Sequence, residues 1–239
     1  MRTSVVGTVA VKVLTGGAFR RALLAAVPVC ERETGRTITV VNDTVGALVR
    51  RIKGGEAFDV VVVSPAALDE LARAGKVLPD GHVALAKVGI GVMVKAGTPK
   101  PDVSSVEAFK RAVLSAGSVG YIDPESGGSS GVYLAGLFER LGLADQVKDK
   151  VRLKRGGGHV SDLVLSGEVE LGIHQMSEIV ATEGVTLVGP LPVPIQGYTT
   201  YAAGIAADVS DRAAAQALIT TLAGPAVTPL LASCGMLRP

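Results

Sequence analysis

The segment Gly120–Ala135, GYIDPESGGSSGVYLA, places the small residues Gly127–Gly131 between a short apolar strand and an apolar helical run. Side chains this small leave the backbone N–H groups of a helix start accessible. The helix dipole adds a partial positive charge at the same point, which favours an anion. The segment therefore predicts a strand-to-helix junction that is suited to holding a negatively charged group.

The alternation of strand and helix signals extends along the chain on both sides of this segment. The run Phe58–Val63, FDVVVV, is typical of a buried parallel strand, and Pro65–Ala74 follows it as a helix with proline in the first turn. Two longer strand-like runs, 83–95 and 197–207, flank a middle block. We therefore predict an α/β fold with mainly parallel sheets, two lobes and two chain crossings. The predicted lobes are residues 1–85 plus 198–239, and residues 86–197.

Composition limits the kinds of partner. The chain has 239 residues, of which 48% are hydrophobic and 3% aromatic, and its net charge is +2. Nucleic-acid platforms need stacking rings and a basic surface, and neither signal is present. Cys30 and Cys234 form no metal-binding spacing, so we expect two buried thiols. We expect a monomer that binds a small anion, and no nucleic-acid partner.

The amino-terminal region bears on location. The stretch MRTSVVGTVAVKVLTGG lacks the apolar core of a signal peptide, and no run of the sequence approaches the length of a membrane span. We therefore expect no membrane span. The expected location is the periplasm if a leader was removed, and the cytoplasm otherwise.

Four predicted strand-to-helix junctions carry small or hydroxylated residues. They are Thr15–Ala18, Asp43–Gly46, Ser126–Gly131 and Gly156–His159. Ordinary N-capping explains any one of them. Because parallel strands bring such junctions to one edge of a sheet, four of the same kind favour a shared anion site.

The junction Gly127–Gly131 also matches G-x-S-x-G, the nucleophile elbow of α/β-hydrolases. Ser129 would be the nucleophile, and Asp162 and His174 follow it in the order acid, then histidine. No HGGG-type segment lies upstream to supply an oxyanion hole. A serine hydrolase remains an alternative on this motif alone.

Three titratable residues fall near the predicted junctions. His159 opens a helix and His174 ends a strand, so each is either a structural histidine or a cleft residue that donates to an anion or moves a proton. Asp43 caps a helix, accepts a hydrogen bond from a ligand hydroxyl, or acts as a base. The histidines are scattered in sequence and no phosphate-loop motif exists, so we expect no metal and no cofactor.

Four segments resemble the type II solute-binding proteins of ABC importers, and most closely their molybdate-binding branch. The segments are KVLTGGAFRRALLAAVPVCERETG, NDTVGALVRRIKGGEAFDVVVVSP, GYIDPESGGSSGVYLAGLFERLGL and GEVELGIHQMSEI. The resemblance implies the periplasmic-binding-protein type II fold. It also implies an oxyanion held between the lobes by hydroxyl and backbone N–H groups, and a permease of an ABC transporter as partner.

The resemblance assigns ligand binding to the residues that match the family's ligand loops. They are Thr15, Gly16, Gly17, Asp43, Thr44, Ser129, Ser130, Gly158, His159, Val160 and His174. Molybdate binders typically carry tyrosine at the position of His174, where this chain departs.

The chain also resembles aconitate isomerases, an enzymatic branch that moves a proton on a polycarboxylate without a cofactor. In that alternative, a cofactor-free isomerase of a di- or tricarboxylate, the base is His174, His159 or Asp43.

Overall fold

The computed structural model describes residues 10–155 and 158–239, in which strands and helices alternate. The strands are β1 (Val11–Gly16), β2 (Ile38–Asp43), β3 (Val60–Val63), β4 (Val83–Lys95), β5 (Val119–Ile122), β6 (Val151–Lys154), β7 (Leu171–Gln175), β8 (Val185–Pro190) and β9 (Tyr198–Ile205). The helices are α1 (Gly17–Thr34), α2 (Val45–Lys53), α3 (Pro65–Arg73), α4 (Val106–Ser115), α5 (Ser129–Arg140), α6 (Ala144–Val147), α7 (Val160–Leu165), α8 (Met176–Ile179), α9 (Arg212–Ala223) and α10 (Thr228–Ser233). The sequence also predicts a first strand over Val5–Leu14, of which residues 5–9 lie outside the described residues.

The strands form two parallel groups, one in each lobe. Strands β2, β1 and β3 pair in parallel in the first lobe, and β6, β5 and β7 pair in parallel in the second. Strand β4 joins the groups because its first half pairs antiparallel with β9 and its second half pairs antiparallel with β7 and β8. The chain leaves the first lobe inside β4, near Gly89, and returns before β9. The predicted α/β fold with two lobes and two crossings is confirmed, and the exact lobe boundaries stay a prediction.

Each parallel group is buried on both faces, as the FDVVVV run indicates. Val60 and Val62 of β3 pack into one hydrophobic cluster, and Val61 and Val63 pack into another on the opposite face. This alternation follows from the two-residue period of a strand. Helices α1 and α9 cover the first face and α2 and α3 cover the second. The second lobe has its own two clusters, which contain Phe109 and Met93 respectively.

Two smaller expectations concern the cysteines and the membrane. Cys30 and Cys234 are both buried and free, in agreement with the prediction of two buried thiols. Across residues 10–155 and 158–239, no single helix has the length and apolar character needed to cross a membrane. The bent pair Arg212–Ala223 and Pro225–Ser233 meets these limits only when taken together.

The last glycine of the GGSSG segment has a packing role of its own. Gly131 lies in the first turn of α5, where the helix crosses the end of β5, and a Cβ atom there would overlap the backbone carbonyl oxygen of Ile122. Backbone cannot move aside as a flexible side chain does. The close approach of α5 to β5 therefore requires glycine at this position.

We predict that Gly131→Ala destabilises the protein by about 1–3 kcal/mol through overpacking. The control is Gly136→Ala in the same helix, where the added Cβ would meet only the flexible end of Arg140, 3.3 Å away. Because alanine favours helix over glycine, that control should gain up to about 1 kcal/mol. Urea unfolding of both variants measures the difference, and equal effects would contradict the packing argument.

Candidate functional site

A cleft of about 320 Å³ lies between the lobes, at the carboxyl edges of the parallel strands. Eight predicted site residues line it: Gly17, Asp43, Thr44, Ser129, Ser130, Gly158, His159 and His174. Eight further residues line it that were not predicted as individual site residues, three of which, Ala18, Val45 and Gly128, belong to the predicted junctions: Ala18, Asn42, Val45, Ile122, Gly128, Gln175, Glu178 and Tyr201. Junctions from both lobes therefore meet at one cleft, and the ligand roles of the predicted residues stay a prediction.

Three predicted ligand residues do not line the cleft. Thr15 is fully buried in β1, where its hydroxyl donates to the carbonyl oxygen of Gly16 at 3.3 Å. Gly16 packs so closely against the ring of Tyr201 that an added Cβ would lie 2.8 Å from it. Val160 is part of the hydrophobic core of the second lobe. Gly156 and Gly157 of the fourth junction lie outside the described residues.

Two long helices, one from each lobe, open on the cleft with uncapped amino termini. Helix α1 has 18 residues and α5 has 12, and neither N-cap residue, Gly16 or Gly128, supplies a side-chain hydrogen bond. Helix α2 differs, because the Thr44 hydroxyl accepts a hydrogen bond from the Ala47 N–H at 3.2 Å. The first N–H groups of α1 and α5 are thus available to a bound group, and both helix dipoles add positive potential there.

Asp43 is held by the protein on both of its oxygens. Its Oδ1 accepts a hydrogen bond from the Thr44 N–H at 2.8 Å, and its Oδ2 lies 3.0 Å from Nη1 of Arg51. The arginine offsets the negative charge of Asp43 at the cleft. Since both oxygens have partners, the arrangement favours a structural role over that of a free base.

The cleft also contains a chain of polar contacts around Glu178. His174 is 5% exposed, and its Nδ1 lies 3.2 Å from the Ser130 hydroxyl oxygen. Its Nε2 contacts one oxygen of Glu178, whose other oxygen lies 3.8 Å from Nδ1 of His159. The fold therefore brings four side chains into successive contact: Ser130, His174, Glu178 and His159.

Burial raises the pKa of Glu178, but the charge of His174, its hydrogen bond and the charge of His159 outweigh burial. The net result is a pKa below the usual range for a glutamate, so Glu178 is ionised at neutral pH. An imidazole between a hydroxyl and a carboxylate can hold or transfer a proton. His174 has the contacts that such a proton transfer requires.

The same residues are also the potential metal ligands of the described part of the chain. Nitrogen or oxygen atoms of His159, His174 and Glu178 lie within 4.8 Å of one another. Two imidazoles and one carboxylate are a set that a divalent cation can use. The histidines are far apart in sequence, and only the fold brings them together.

The hydrolase interpretation is corrected by the contacts of its three residues. The Ser129 hydroxyl oxygen accepts from Gln175 and Thr199, and it is Ser130 that meets His174. The Asp162 carboxylate binds Nζ of Lys154 at 3.0 Å and the backbone N–H of His159 at 3.1 Å. Consecutive helical side chains point about 100° apart, so Ser129 and Ser130 face different partners. Ser129, Asp162 and His174 do not form a triad.

Three polar residues of the cleft were not predicted from the sequence, and they differ in the strength of their local sequence signal. Glu178 stands four residues after His174 in the segment HQMSEI, a spacing that brings both side chains to one side of the strand-to-helix turn. Gln175 directly follows His174. Tyr201 had no local signal, because it reaches the cleft from β9, far away in sequence.

The chain is similar to a known protein family and to a characterised relative. A family model described as bacterial extracellular solute-binding protein matches residues 11–237. An aconitate isomerase from a Pseudomonas species is 33% identical over 230 residues, which cover 94% of this chain and 86% of that protein.

Two solved structures show the same fold. The periplasmic molybdate-binding protein of Azotobacter vinelandii aligns with a TM-score of 0.80 and 18% identity, over 96% of this chain and 99% of that one. The sulfate-binding protein of Mycobacterium tuberculosis aligns with a TM-score of 0.78 and 21% identity, over 96% and 86%. The predicted type II fold is confirmed.

We predict that the Glu178 contacts make stability depend on pH in the acid range. The folded pKa of Glu178 is lowered, so the unfolded chain binds its proton first as the pH falls. The stabilisation is full above the ordinary glutamate pKa of about 4.3 and is lost as the pH falls through the lowered folded value.

Urea unfolding of wild type and Glu178→Gln between about pH 3 and about pH 6 measures this dependence, because the interval spans the ordinary glutamate pKa. Wild type should exceed the variant at the upper end, and the difference should shrink toward the lower end. A difference that stays constant with pH would contradict the assignment.

Proposed function

The chain belongs to the bacterial extracellular solute-binding protein family, and from that premise we propose that it binds a small oxyanion or carboxylate between its lobes. The observation that carries the proposal is the pair of uncapped helix termini, α1 from the first lobe and α5 from the second, that open on one cleft. An anion placed there satisfies N–H donors that the described protein side chains leave open.

The chemistry of the lining supports binding through dipoles. Among the described residues that line the cleft there is no lysine or arginine, so backbone N–H and hydroxyl groups must supply the attraction. Thr44, Ser129 and Ser130 add hydroxyls, and His159 adds a half-exposed imidazole. A volume of about 320 Å³ suits an inorganic oxyanion or a small organic acid.

The acidic side chains restrict which anion fits best. Glu178 and Asp43 also line the cleft, and their carboxylates accept hydrogen bonds. A ligand that carries both a negative group and an O–H or acidic C–H group satisfies the N–H donors and the carboxylates together. This requirement favours an organic carboxylate over a fully symmetric oxyanion.

For the binding function we also propose the periplasm as location and an ABC-transporter permease as partner. The family description, extracellular solute-binding protein, supports a location outside the cytoplasm, and the permease follows from the resemblance to the solute-binding proteins of ABC importers. The monomeric state stays a prediction.

A second candidate function is a proton shift on a di- or tricarboxylate, without a cofactor. The specific observation that favours it is the chain Ser130, His174, Glu178 and His159, since binding alone does not require a buried imidazole–carboxylate pair. The 33% identity to an aconitate isomerase supports the same alternative. Both functions need the same anion-binding helix termini, and they differ in whether the bound ligand reacts.

The binding proposal predicts that citrate, trans-aconitate, molybdate, tungstate or sulfate raises the melting temperature. A ligand at 100 times its Kd stabilises by about 2.7 kcal/mol, which corresponds to about 5–10 °C in a chain of this size. Differential scanning fluorimetry with each anion measures the shift. No shift with any of the five would contradict the proposal.

Matched variants at Val45 test the location of the site. Val45 lies at the first position of α2, is half-buried and lines the cleft. Val45→Asp places a negative charge beside the anion, where the helix terminus itself tolerates it. The anion-induced rise in melting temperature should be smaller in Val45→Asp than in wild type. It should be larger in Val45→Asn than in Val45→Asp, because asparagine has the shape of aspartate without its charge.

The isomerase alternative predicts that trans-aconitate in D₂O gives the cis isomer or incorporates deuterium, as followed by proton NMR. His174→Asn should slow the exchange by about 10²–10⁴-fold, the usual contribution of a general acid or base, while the anion-induced melting shift remains. His82→Asn is the control, because Nδ1 of His82 lies 3.7 Å from the Asp69 carboxylate and His82 does not line the cleft. Bound trans-aconitate without isomer or exchange would leave only the binding function.

A further inference from the structure

The Ser129 hydroxyl has both of its acceptor positions occupied by the protein. Its oxygen accepts from Nε2 of Gln175 at 2.7 Å and from the hydroxyl of Thr199 at 3.1 Å. A serine hydroxyl has two lone pairs and one proton. With both lone pairs used, its remaining capacity is one donated hydrogen bond. Ser129 is half-buried and lines the cleft, so a bound ligand can take that proton, for which the Tyr201 hydroxyl is the competing acceptor.

The direction of these bonds depends on the orientation of the Gln175 amide. Gln175 is 3% exposed, and its Oε1 accepts from the hydroxyl of Tyr201 at 3.3 Å. Burial raises the pKa of Tyr201, so the phenol keeps its proton and can donate it. With Oε1 toward Tyr201, both protons of Nε2 point the other way, to Ser129 and to Thr199 at 3.1 Å. Each buried polar group in the network then has a partner.

The network joins the two lobes. Ser129 begins α5 and Gln175 ends β7, both in the second lobe. Thr199 and Tyr201 lie on β9, which pairs with β3 of the first lobe and with the first half of β4. The orientation of the Ser129 proton therefore depends on side chains from both sides of the cleft.

We propose that Gln175, oriented by Tyr201, fixes Ser129 as a hydrogen-bond donor to the ligand. At this position the cleft then accepts an ionised carboxylate or oxyanion oxygen and disfavours an amide nitrogen or a protonated acid, which would present a second donor. Gln175, Thr199 and Tyr201 are positioning residues, and Ser129 contacts the ligand. The inference deepens the proposed anion-binding function and rests on it.

The substitution Gln175→Glu tests the direction of the network with almost no change in shape. A carboxylate only accepts, so Ser129 and Thr199 must donate to it, and the Ser129 proton is withdrawn from the ligand. Anion affinity should fall by about 10–100-fold, the range of one hydrogen bond to a charged group. Isothermal titration calorimetry with the five anions of the melting panel measures the Kd.

A double-mutant cycle separates the loss of the proton from the added negative charge. If Gln175→Glu acts through Ser129, it should weaken binding far less in the Ser129→Ala background than in wild type. Direct repulsion by the new charge would weaken binding equally in both backgrounds, and that result would overturn the inference. Tyr201→Phe frees the amide to turn and should weaken binding several-fold in wild type but not in Ser129→Ala.

Circular dichroism and the melting temperature establish that each variant is folded. Should Gln175→Glu fail to fold, the cycle of Tyr201→Phe with Ser129→Ala decides alone, and equal losses in both backgrounds would overturn the inference. If wild type binds none of the five anions, the proposed function itself fails. If wild type binds and the cycles show no coupling, only the inference about the network fails.

Discussion

The constraint on which the site depends is the connection of parallel strands by helices. A chain that runs β1–α1–β2–α2 in one lobe and β5–α5 in the other must start each helix at the carboxyl edge of the sheet. The two groups are joined through β4 and β9 so that these edges face the same cleft. Helix termini from both lobes thus converge, and their N–H groups create positive potential without a basic side chain.

A buried carboxylate at such a site needs compensation, and the two histidines supply it. Glu178 lies where the helix dipoles favour an anion, and it contacts the imidazoles of His174 and His159. A Cβ atom on Gly17, the first residue of α1, would lie 2.9 Å from Glu178, so this carboxylate is close to the helix terminus. Ligand and Glu178 consequently share one electrostatic environment, and the charge of either influences the protonation of the other. The proposed binding and the proposed proton transfer would therefore depend on the same groups of this cleft.

Two adjacent serines at the start of α5 have different hydrogen-bond partners. Ser129 belongs to the network with Gln175, Thr199 and Tyr201, and Ser130 belongs to the chain with His174 and Glu178. The helical rotation between neighbours separates the two sets of contacts. The GGSSG segment therefore serves three purposes, because its last glycine also lets α5 approach the end of β5. A motif interpretation based on one nucleophilic serine could not separate these roles.

The sequence by itself determined the α/β class, the two lobes, the buried strand at FDVVVV and the placement of Asp43, Thr44, Ser129, Ser130, His159 and His174 at junctions. These features follow from local periodicity and from the small residues that helix starts require. Only the tertiary structure decided that Thr15 and Val160 are buried and do not line the cleft, and that Glu178, Gln175 and Tyr201 line it. The reason is that local pattern specifies which element a residue belongs to, whereas its contacts depend on where distant strands, here β7 and β9, bring their side chains together.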